Sequence, residues 1–192
     1  MLKRLYDWTM RLAAGKHAVW ALAAIAFIES SVFPLPPDLL LIPMVLADRR
    51  HAWRLAAVAT LASVAGGFLG YAIGYFAFDA IGEPVLQFYG AMDKYQALKS
   101  SFDQWGVWII IAKGMTPIPY KLVTIASGAL KFDLLSFAVA SLISRSLRFF
   151  LVAALLWWFG EPIRAFIEKR LAWVTAAFLV ALVSGFFVLR YL

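Results

Sequence analysis

The 192-residue chain contains no cysteine, only two histidines and few charged residues, which make up 15% of the sequence. The absence of cysteine excludes disulfide bonds and thiolate metal sites. His17 and His51 lie in basic stretches, where we expect both side chains to be solvated. We therefore expect no metal and no other cofactor.

Apolar residues, in contrast, make up 64% of the chain, far more than in soluble globular domains. The charges cluster between the apolar runs, a pattern that predicts an all-α polytopic membrane protein. The net charge of +7 would suit nucleic-acid binding, but in so apolar a chain it is better explained by basic loops on the cytoplasmic side of a membrane. We expect no nucleic-acid partner.

A helix needs about 20 apolar residues to span a bilayer. Five apolar blocks approach or exceed that length: 18–47, 55–78, 105–130, 134–160 and 171–189. Residues 1–17 precede them, and apolar side chains recur there every three to four positions, which predicts an amphipathic helix at the membrane interface. A signal peptide is not favoured, because the first block runs on without a clear boundary.

Two of the blocks, 18–47 and 105–130, are interrupted by prolines near the middle. The interrupting residues are Pro34 and Pro36 in the first block, and Pro117 and Pro119 in the second. Proline removes a backbone donor and breaks helices, which a membrane tolerates only where the backbone is buried in protein or lines a wet cavity. Both blocks are therefore predicted to be re-entrant helical hairpins.

The proline motif recurs at a constant distance (117 − 34 = 83 and 119 − 36 = 83), which aligns Asp38 with Lys121. Paired, interrupted segments in two halves of a chain indicate the substrate site of an inverted-repeat transporter. Each hairpin with the span after it would form one repeat, related to the other by a pseudo-two-fold axis in the membrane plane. Block 171–189 would add a C-terminal transmembrane helix.

The charges of the loops favour this arrangement. The N-terminus, the loop after block 18–47 and the loop 161–170 are basic, whereas the long loop 79–104 is acidic. Basic loops stay in the cytoplasm. All three reach that side if the hairpins re-enter and blocks 55–78 and 134–160 span the membrane. The sequence thus predicts a cytoplasmic N-terminus and a C-terminus on the outside.

One spanning block, 55–78, carries Gly66, Gly70 and Gly74 at a spacing of four residues. Such rows of small residues let two helix backbones approach closely in lipid. We assign these glycines to helix packing and not to chemistry.

Six ionisable residues fall inside the apolar blocks: Glu29, Asp38, Lys113, Lys121, Arg145 and Arg148. Each such charge costs about 2.5–3.5 kcal/mol at the bilayer centre, so function is the leading hypothesis. The alternative is that these groups pair with one another and only hold the helices together. Two acids against four bases leave a formal surplus of two positive charges.

That surplus predicts an anion as the ligand of the four bases, and arginine pairs well with phosphate in a bidentate geometry. In a membrane protein the anion is expected to be a lipid headgroup. Burial favours the neutral form of a carboxyl group, so Glu29 and Asp38 are candidates for carrying a coupling proton. Membrane lipids and protons are the expected partners, and self-association is left open.

At these residues the chain resembles the DedA family, the bacterial branch of the VTT-domain (SNARE-associated Golgi protein) superfamily. The resemblance spans about residues 20–160 and rests on four segments: Glu29-x4-Pro34-x-Pro36-x-Asp38, Gly66-x3-Gly70-Tyr71-x2-Gly74, Lys113-Gly-Met-Thr-Pro117-Ile-Pro119-Tyr-Lys121 and Ser144-Arg145-x2-Arg148-Phe149. The Thr-Pro-Ile-Pro-Tyr-Lys string, with Ser-Gly after it, is especially similar to the YqaA-type subgroup.

The resemblance implies a VTT domain over residues 18–160 with two opposed re-entrant loops, placed in the bacterial inner membrane. It also implies transport linked to the proton-motive force, since family members include flippases of undecaprenyl phosphate and relatives that scramble phospholipids. Better-studied members have an arginine pair flanking a single proline where this chain has Lys113 and Lys121 with two prolines between them. The substrate is therefore not carried over.

Three functions stay open on this reasoning. The leading one is a flippase or scramblase of an anionic lipid linked to the proton-motive force, and the second is an uncoupled scramblase or a structural membrane protein. The third is a lipid-pyrophosphate phosphatase, because Ser144-Arg145-Ser146 resembles a string in undecaprenyl-pyrophosphate phosphatases. No Ser–His pair offers a nucleophile and base. We therefore assign no catalytic residue and expect no enzyme.

Overall fold

The computed structural model describes residues 17–32, 36–88, 90, 92–115, 119–160 and 162, which form helices and short turns without any strand. The predicted interfacial helix, 1–17, lies outside these residues apart from His17, and the predicted C-terminal helix, 171–189, lies wholly outside them. For the described part of the chain, the predicted all-α class is confirmed.

The first proline-interrupted block forms two short helices, α1 (Ala18–Ser31) and α2 (Asp38–Ala47). At 1.5 Å per residue, their 14 and 10 residues measure about 21 and 15 Å. Neither helix alone crosses a hydrocarbon core of about 30 Å. Pro37 stands just before α2 with φ −65°, which is already the helical value, so the prolines separate the two helices and also start the second one.

A continuous helix of 40 residues, Arg49–Phe88, comes next. It comprises a 3-10 turn (Arg49–His51), α3 (Ala52–Ala77), a π-helical turn (Phe78–Gly82) and α4 (Glu83–Phe88). Asp48 starts it by accepting a hydrogen bond from the backbone N–H of Arg50 at 3.0 Å. That bond, together with the nearby His51 ring, holds the pKa of Asp48 below its usual range. The predicted span 55–78 lies within this helix.

The acidic segment 79–104 is mostly helical, and its prediction as a loop was wrong. Residues 79–88 continue the long helix, and α5 (Met92–Met115) takes up the remainder and runs on into the second proline-interrupted block. Low hydropathy indicates exposure to water and not a lack of helix. The segment contains three Gln, three Ala, two Lys and two Leu, all of which are strong helix formers.

The second interrupted block ends in α6 (Tyr120–Ala129), which starts directly after Pro119. A turn then leads into α7 (Leu134–Gly160), a helix of 27 residues. Within the described residues, α7 and Arg49–Phe88 are the two helices long and apolar enough to cross a membrane. The predicted spans 55–78 and 134–160 thus each lie within a long apolar helix.

The helix boundaries recur in the two halves of the chain. The ends of α1 and α5 are separated by 115 − 31 = 84 residues, and the starts of α2 and α6 by 120 − 38 = 82. The starts of α3 and α7 are also 82 residues apart (134 − 52 = 82). These distances are close to the 83-residue offset of the prolines.

Two apolar clusters form the core, and they occupy different ends of α3 and α7. The first joins α1 and α2 to residues 52–59 of α3 and 149–156 of α7. The second joins α5 and α6 to Tyr71 and to residues 137–140 of α7. The segment of α7 between the clusters, 141–148, contains the serines and arginines. A polar layer therefore lies between two apolar layers.

Glycines bring the backbones of α1, α3 and α6 into contact. A Cβ atom at Gly66 would overlap the carbonyl oxygen of Phe27 in α1, and one at Gly74 would overlap the carbonyl oxygen of Ile125 in α6. Gly70, between them, faces Thr124 and the carbonyl oxygen of Ser30. The glycine row of α3 thus lies where α1 and α6 meet it, which holds the two interrupted blocks on one spanning helix.

Candidate functional site

Buried polar side chains from four helices meet in the layer between the apolar clusters. They are Glu29, Ser30 and Ser31 of α1, Thr60 and Ser63 of α3, Thr124 and Ser127 of α6, and Ser141, Ser144 and Arg145 of α7. Buried polar groups are stable only when they are hydrogen-bonded. Most of these hydroxyl groups form hydrogen bonds, either with other side chains of the layer or with backbone carbonyl oxygens. Two carboxylate–arginine pairs lie at this level of the helices.

The first pair joins Glu29 to Arg145. The Nη2 atom of Arg145 lies 3.2 Å from Oε2 of Glu29, and the two side chains are only 2% and 10% exposed. Arg145 also donates from Nε to the Oγ of Ser63 at 2.7 Å. Ser30 donates to Oε2 of Glu29 at 3.2 Å, and its own hydroxyl lies 2.6 Å from that of Ser63. A buried ion pair needs such extra bonds to offset the loss of water.

Tyr120 completes this pair from the second interrupted block. Its backbone N–H donates to Oε1 of Glu29 at 3.1 Å. Since Tyr120 is the first residue of α6, the carboxylate sits at the positive end of that helix. The ring of Tyr120 covers one face of the Arg145 guanidinium at 4.6 Å, and Phe149 lies 4.7 Å from the same group. These rings add cation–π attraction and exclude water.

The second pair joins Asp38 to Arg148, and it is less enclosed. Nη2 of Arg148 lies 2.6 Å from Oδ2 of Asp38, and the side chains are 21% and 16% exposed. Asp38 is the first residue of α2, so its carboxylate also lies at a helix N-terminus. The other carboxylate oxygen, Oδ1, is buried and has no hydrogen-bond partner among the described residues. The second pair therefore retains an unused acceptor, unlike the first.

The two lysines predicted to bind substrate are placed differently from the arginines. Nζ of Lys121 donates to the carbonyl oxygen of Val32 at 2.9 Å, just past the end of α1. Lys113 lies in the last turn of α5 and is partly buried. Glu29 and Asp38 both face arginines, so neither of these two ion pairs includes Lys113 or Lys121.

The predicted helix breaks are only partly visible. Pro34 and Pro117 lie outside the described residues. Pro36 precedes α2, and its carbonyl oxygen accepts a bond from the N–H of Leu39 at 3.2 Å. Pro119 has ψ 122°, an extended value, so α6 begins only at Tyr120 and the N–H of Tyr120 is not used within that helix. This backbone geometry at Pro119 allows the bond from Tyr120 to Glu29.

Sequence reasoning missed the neutral residues that complete the site. Ser30, Ser63 and Tyr120 make most of the hydrogen bonds around the Glu29–Arg145 pair. The sequence did indicate two of these residues, because Ser30 follows Glu29 directly and Tyr120 belongs to the repeated proline motif. Ser63 lies one turn before the glycine row of α3, outside the motifs that the sequence singled out.

Comparisons with known proteins identify the family of the chain. The VTT domain matches residues 35–157, which contain Asp38, both lysines and both arginines. An uncharacterised protein of Haemophilus influenzae is 37% identical over 97% of this chain and 96% of its own length. An uncharacterised protein of Histophilus somni is 36% identical over 97% of each chain. No solved structure matches the chain.

The resemblance drawn from the motifs is thus confirmed for the superfamily, while the YqaA-type subgroup stays a prediction. The domain match covers more than half of the chain, and the relatives align with nearly all of it. Two apolar helices are long enough to span a bilayer. The chain therefore belongs to the VTT domain family of membrane proteins.

Proposed function

We propose that this protein is an integral membrane transporter that moves an anionic lipid across the bilayer, as a flippase or scramblase linked to the proton-motive force. The substrate class is a lipid with a phosphate headgroup, either a polyprenyl phosphate or a phospholipid. The membrane is the bacterial inner membrane, with the N-terminus in the cytoplasm and the C-terminus outside. The YqaA-type subgroup of the DedA proteins is the family branch that the motifs favour.

One observation carries the proposal: both arginines of α7 face carboxylates from the first interrupted block, in a polar layer between two apolar clusters. Arg145 lies eleven residues into α7, about 16 Å from its start and close to the middle of a bilayer. Ionisable groups at that depth are costly, and they commonly mark substrate or proton pathways. The depth and pairing of these groups support transport over a purely structural role.

We infer that the two interrupted blocks, 18–47 and 105–130, are re-entrant hairpins related by an inverted repeat. Three features support this inference. Helices α1, α2 and α6 are each too short to cross a bilayer, the helix boundaries recur at 82–84 residues, and prolines stand at both interruptions. In this arrangement the tips of the hairpins meet near mid-membrane, beside Glu29 and Tyr120.

In this mechanism the cations attract the headgroup and the carboxyl groups take up protons. Arg145, Arg148, Lys113 and Lys121 supply positive charge, and the lipid tails leave sideways between helices into the bilayer. Protonation of a carboxyl group at the site removes the internal counter-charge of an arginine and makes room for a phosphate. A proton would then accompany each anionic headgroup, which links transport to the pH gradient.

The proposal assigns no catalytic step to the chain. Ser144, in the string resembling lipid-pyrophosphate phosphatases, donates to the carbonyl oxygens of Ile110 at 3.3 Å and Ile111 at 3.2 Å. A hydroxyl held on backbone carbonyls inside a helix pair is poorly placed to act as a nucleophile. Release of phosphate from a lipid pyrophosphate by the purified protein would nevertheless favour the enzyme, and it is a simple control.

The proposal is tested by lipid translocation in liposomes that contain the purified protein, with and without an imposed pH gradient. A fluorescent phosphatidylglycerol reports headgroup transfer, and fluorescent phosphatidylcholine is the neutral comparison. We expect transfer of the anionic lipid to rise with the gradient and to fall in Arg148→Ala. Asp103→Asn, an exposed carboxylate on α5, is the matched control. Equal rates without a gradient would favour the uncoupled scramblase, and no transfer would contradict the proposal.

A further inference from the structure

The two carboxylate–arginine pairs differ in how completely they are closed. Around Glu29, three donors occupy the carboxylate: the N–H of Tyr120, the hydroxyl of Ser30 and the guanidinium of Arg145. Around Asp38, the structure records Nη2 of Arg148 on Oδ2, while Oδ1 has no partner among the described residues. Both carboxylate oxygens of Glu29 therefore accept hydrogen bonds, whereas Oδ1 of Asp38 can still take part in one more.

The Arg148 side chain is also more exposed than the Arg145 side chain. The Arg145 side chain is 2% exposed and lies between the rings of Tyr120 and Phe149, so that no anion can approach it without unpacking the helices. The Arg148 side chain, one turn further along α7, is 21% exposed. A headgroup arriving from outside the helix bundle therefore reaches Arg148 first.

The free-energy cost of breaking each pair depends on whether the remaining charge stays buried without a counter-charge. Removing one partner of a buried ion pair costs about 3–5 kcal/mol, because the other charge stays buried without compensation. If Glu29 became neutral, Arg145 would be stranded in a site that water and anions do not reach. If Asp38 became neutral, an anion could replace it on Arg148, and the number of buried charges would not change.

We propose that Asp38–Arg148 is the exchangeable pair, in which a lipid phosphate replaces the Asp38 carboxylate on Arg148 when Asp38 takes up a proton, while Glu29–Arg145 stays closed and holds the hairpins together. This inference rests on the proposed function, and it assigns different roles to two pairs that the sequence treats alike. One proton is bound for each singly charged phosphodiester, so the charge of the site is unchanged.

The surroundings of Asp38 are compatible with this exchange. Arg148 pairs with Asp38, Arg145 of the same helix also interacts with it electrostatically, and Glu29 of α1 lies beyond Arg145 as its counter-charge. Glu29 keeps Arg145 neutralised while Arg148 changes partner. A proton that Asp38 gains can reside on Oδ1, the oxygen not used by Arg148.

The experiment measures binding of phosphatidylglycerol to the purified protein in detergent, by native mass spectrometry or thermophoresis, at acid and at neutral pH. The phosphodiester of this lipid keeps one negative charge throughout, so any pH dependence belongs to the protein. Phosphatidylcholine is the neutral comparison, and inorganic phosphate is the soluble competitor. The variants are Asp38→Asn, Glu29→Gln, Arg148→Ala and the exposed control Asp103→Asn.

We expect the unmodified protein to bind phosphatidylglycerol more tightly at acid pH. Asp38→Asn, which resembles the protonated residue, should bind about tenfold more tightly than the unmodified protein at neutral pH and should lose the pH dependence. Asp103→Asn should keep the pH dependence and gain no affinity. Glu29→Gln breaks the closed pair and should destabilise the protein, but it should not give the gain in affinity that Asp38→Asn gives. Arg148→Ala should reduce binding at both pH values to the level of phosphatidylcholine.

The outcomes separate this inference from the function on which it rests. If binding requires Arg148 but is equal at both pH values, the exchange is wrong and lipid binding remains. The same conclusion follows if Glu29→Gln strengthens binding as much as Asp38→Asn does. Binding that Arg148→Ala does not reduce would overturn both. Displacement of the lipid by equal concentrations of inorganic phosphate would support the exchange but identify a soluble anion as the ligand. If Asp38→Asn does not fold, the pH dependence of the unmodified protein decides the question.

Discussion

The carboxylate of Glu29 accepts a hydrogen bond from the backbone N–H of Tyr120 at 3.1 Å, across 91 residues of chain. Glu29 belongs to the end of α1, and Tyr120 is the first residue of α6, so this one bond joins the two proline-interrupted blocks. The same carboxylate faces Arg145 of α7. The Glu29 side chain is thus the point at which three helices from both halves of the chain meet.

Replacement of Glu29 by glutamine is expected to destabilise the protein strongly. The amide oxygen can still accept from Tyr120, but Arg145 loses its counter-charge in a site that is 2% exposed. The expected cost is about 3–5 kcal/mol, as for other broken buried pairs. Thermal unfolding in detergent, followed by the loss of monodisperse protein, measures it. Glu83→Gln, at the surface position where Glu83 bonds Gln87, should leave the unfolding temperature unchanged.

Replacement of Arg145 by lysine should be nearly as harmful as its removal. The guanidinium bonds Glu29 and Ser63 at once while lying against two aromatic rings, and an ammonium group cannot reproduce that planar arrangement. Arg148→Lys should be milder, since Arg148 is more exposed. Unfolding temperatures of the two variants provide the comparison. Equal losses would contradict the distinction between a closed and an open pair.

Adjacent glycines of α3 should respond differently to alanine. A Cβ at Gly66 overlaps the backbone of Phe27, so Gly66→Ala must push α1 away and should cost about 1–3 kcal/mol. At Gly67 the new atom would lie 3.5 Å from the methyl group of Thr124, an ordinary contact, so Gly67→Ala should be tolerated. Thermal unfolding of this matched pair tests the close packing of α1 on α3, independently of any charge.

The proposed re-entrant topology predicts the side of the membrane on which each loop lies. Because the chain has no cysteine, single cysteines can be labelled without background. Cysteines at Ala13 and Arg50 should react with an impermeant thiol reagent from the cytoplasmic side alone. A cysteine at Asp93 should react from the outside alone. Labelling of positions 13 and 50 from opposite sides would contradict both the hairpins and the inverted repeat.

Much of the fold was predictable because it depends on local properties of the chain. Apolar runs of sufficient length produced the two long helices, and Pro36 and Pro119 mark interruptions that exist. The prediction of a loop at 79–104 was wrong because it was based on polarity. Polar residues indicate contact with water and do not determine the backbone conformation. The roles assigned to the glycines and the charged residues stay predictions until they are tested.

The sequence by itself determined which charged residues lie within apolar segments, because that follows from their position along the chain. Only the tertiary structure decided that Glu29 faces Arg145 and Asp38 faces Arg148, and that the first pair is enclosed while the second retains a free carboxylate oxygen among the described residues. The reason is physical. Hydropathy is a property of one segment, whereas pairing depends on how helices rotate and cross, and here the helices approach closely at Gly66 and Gly74.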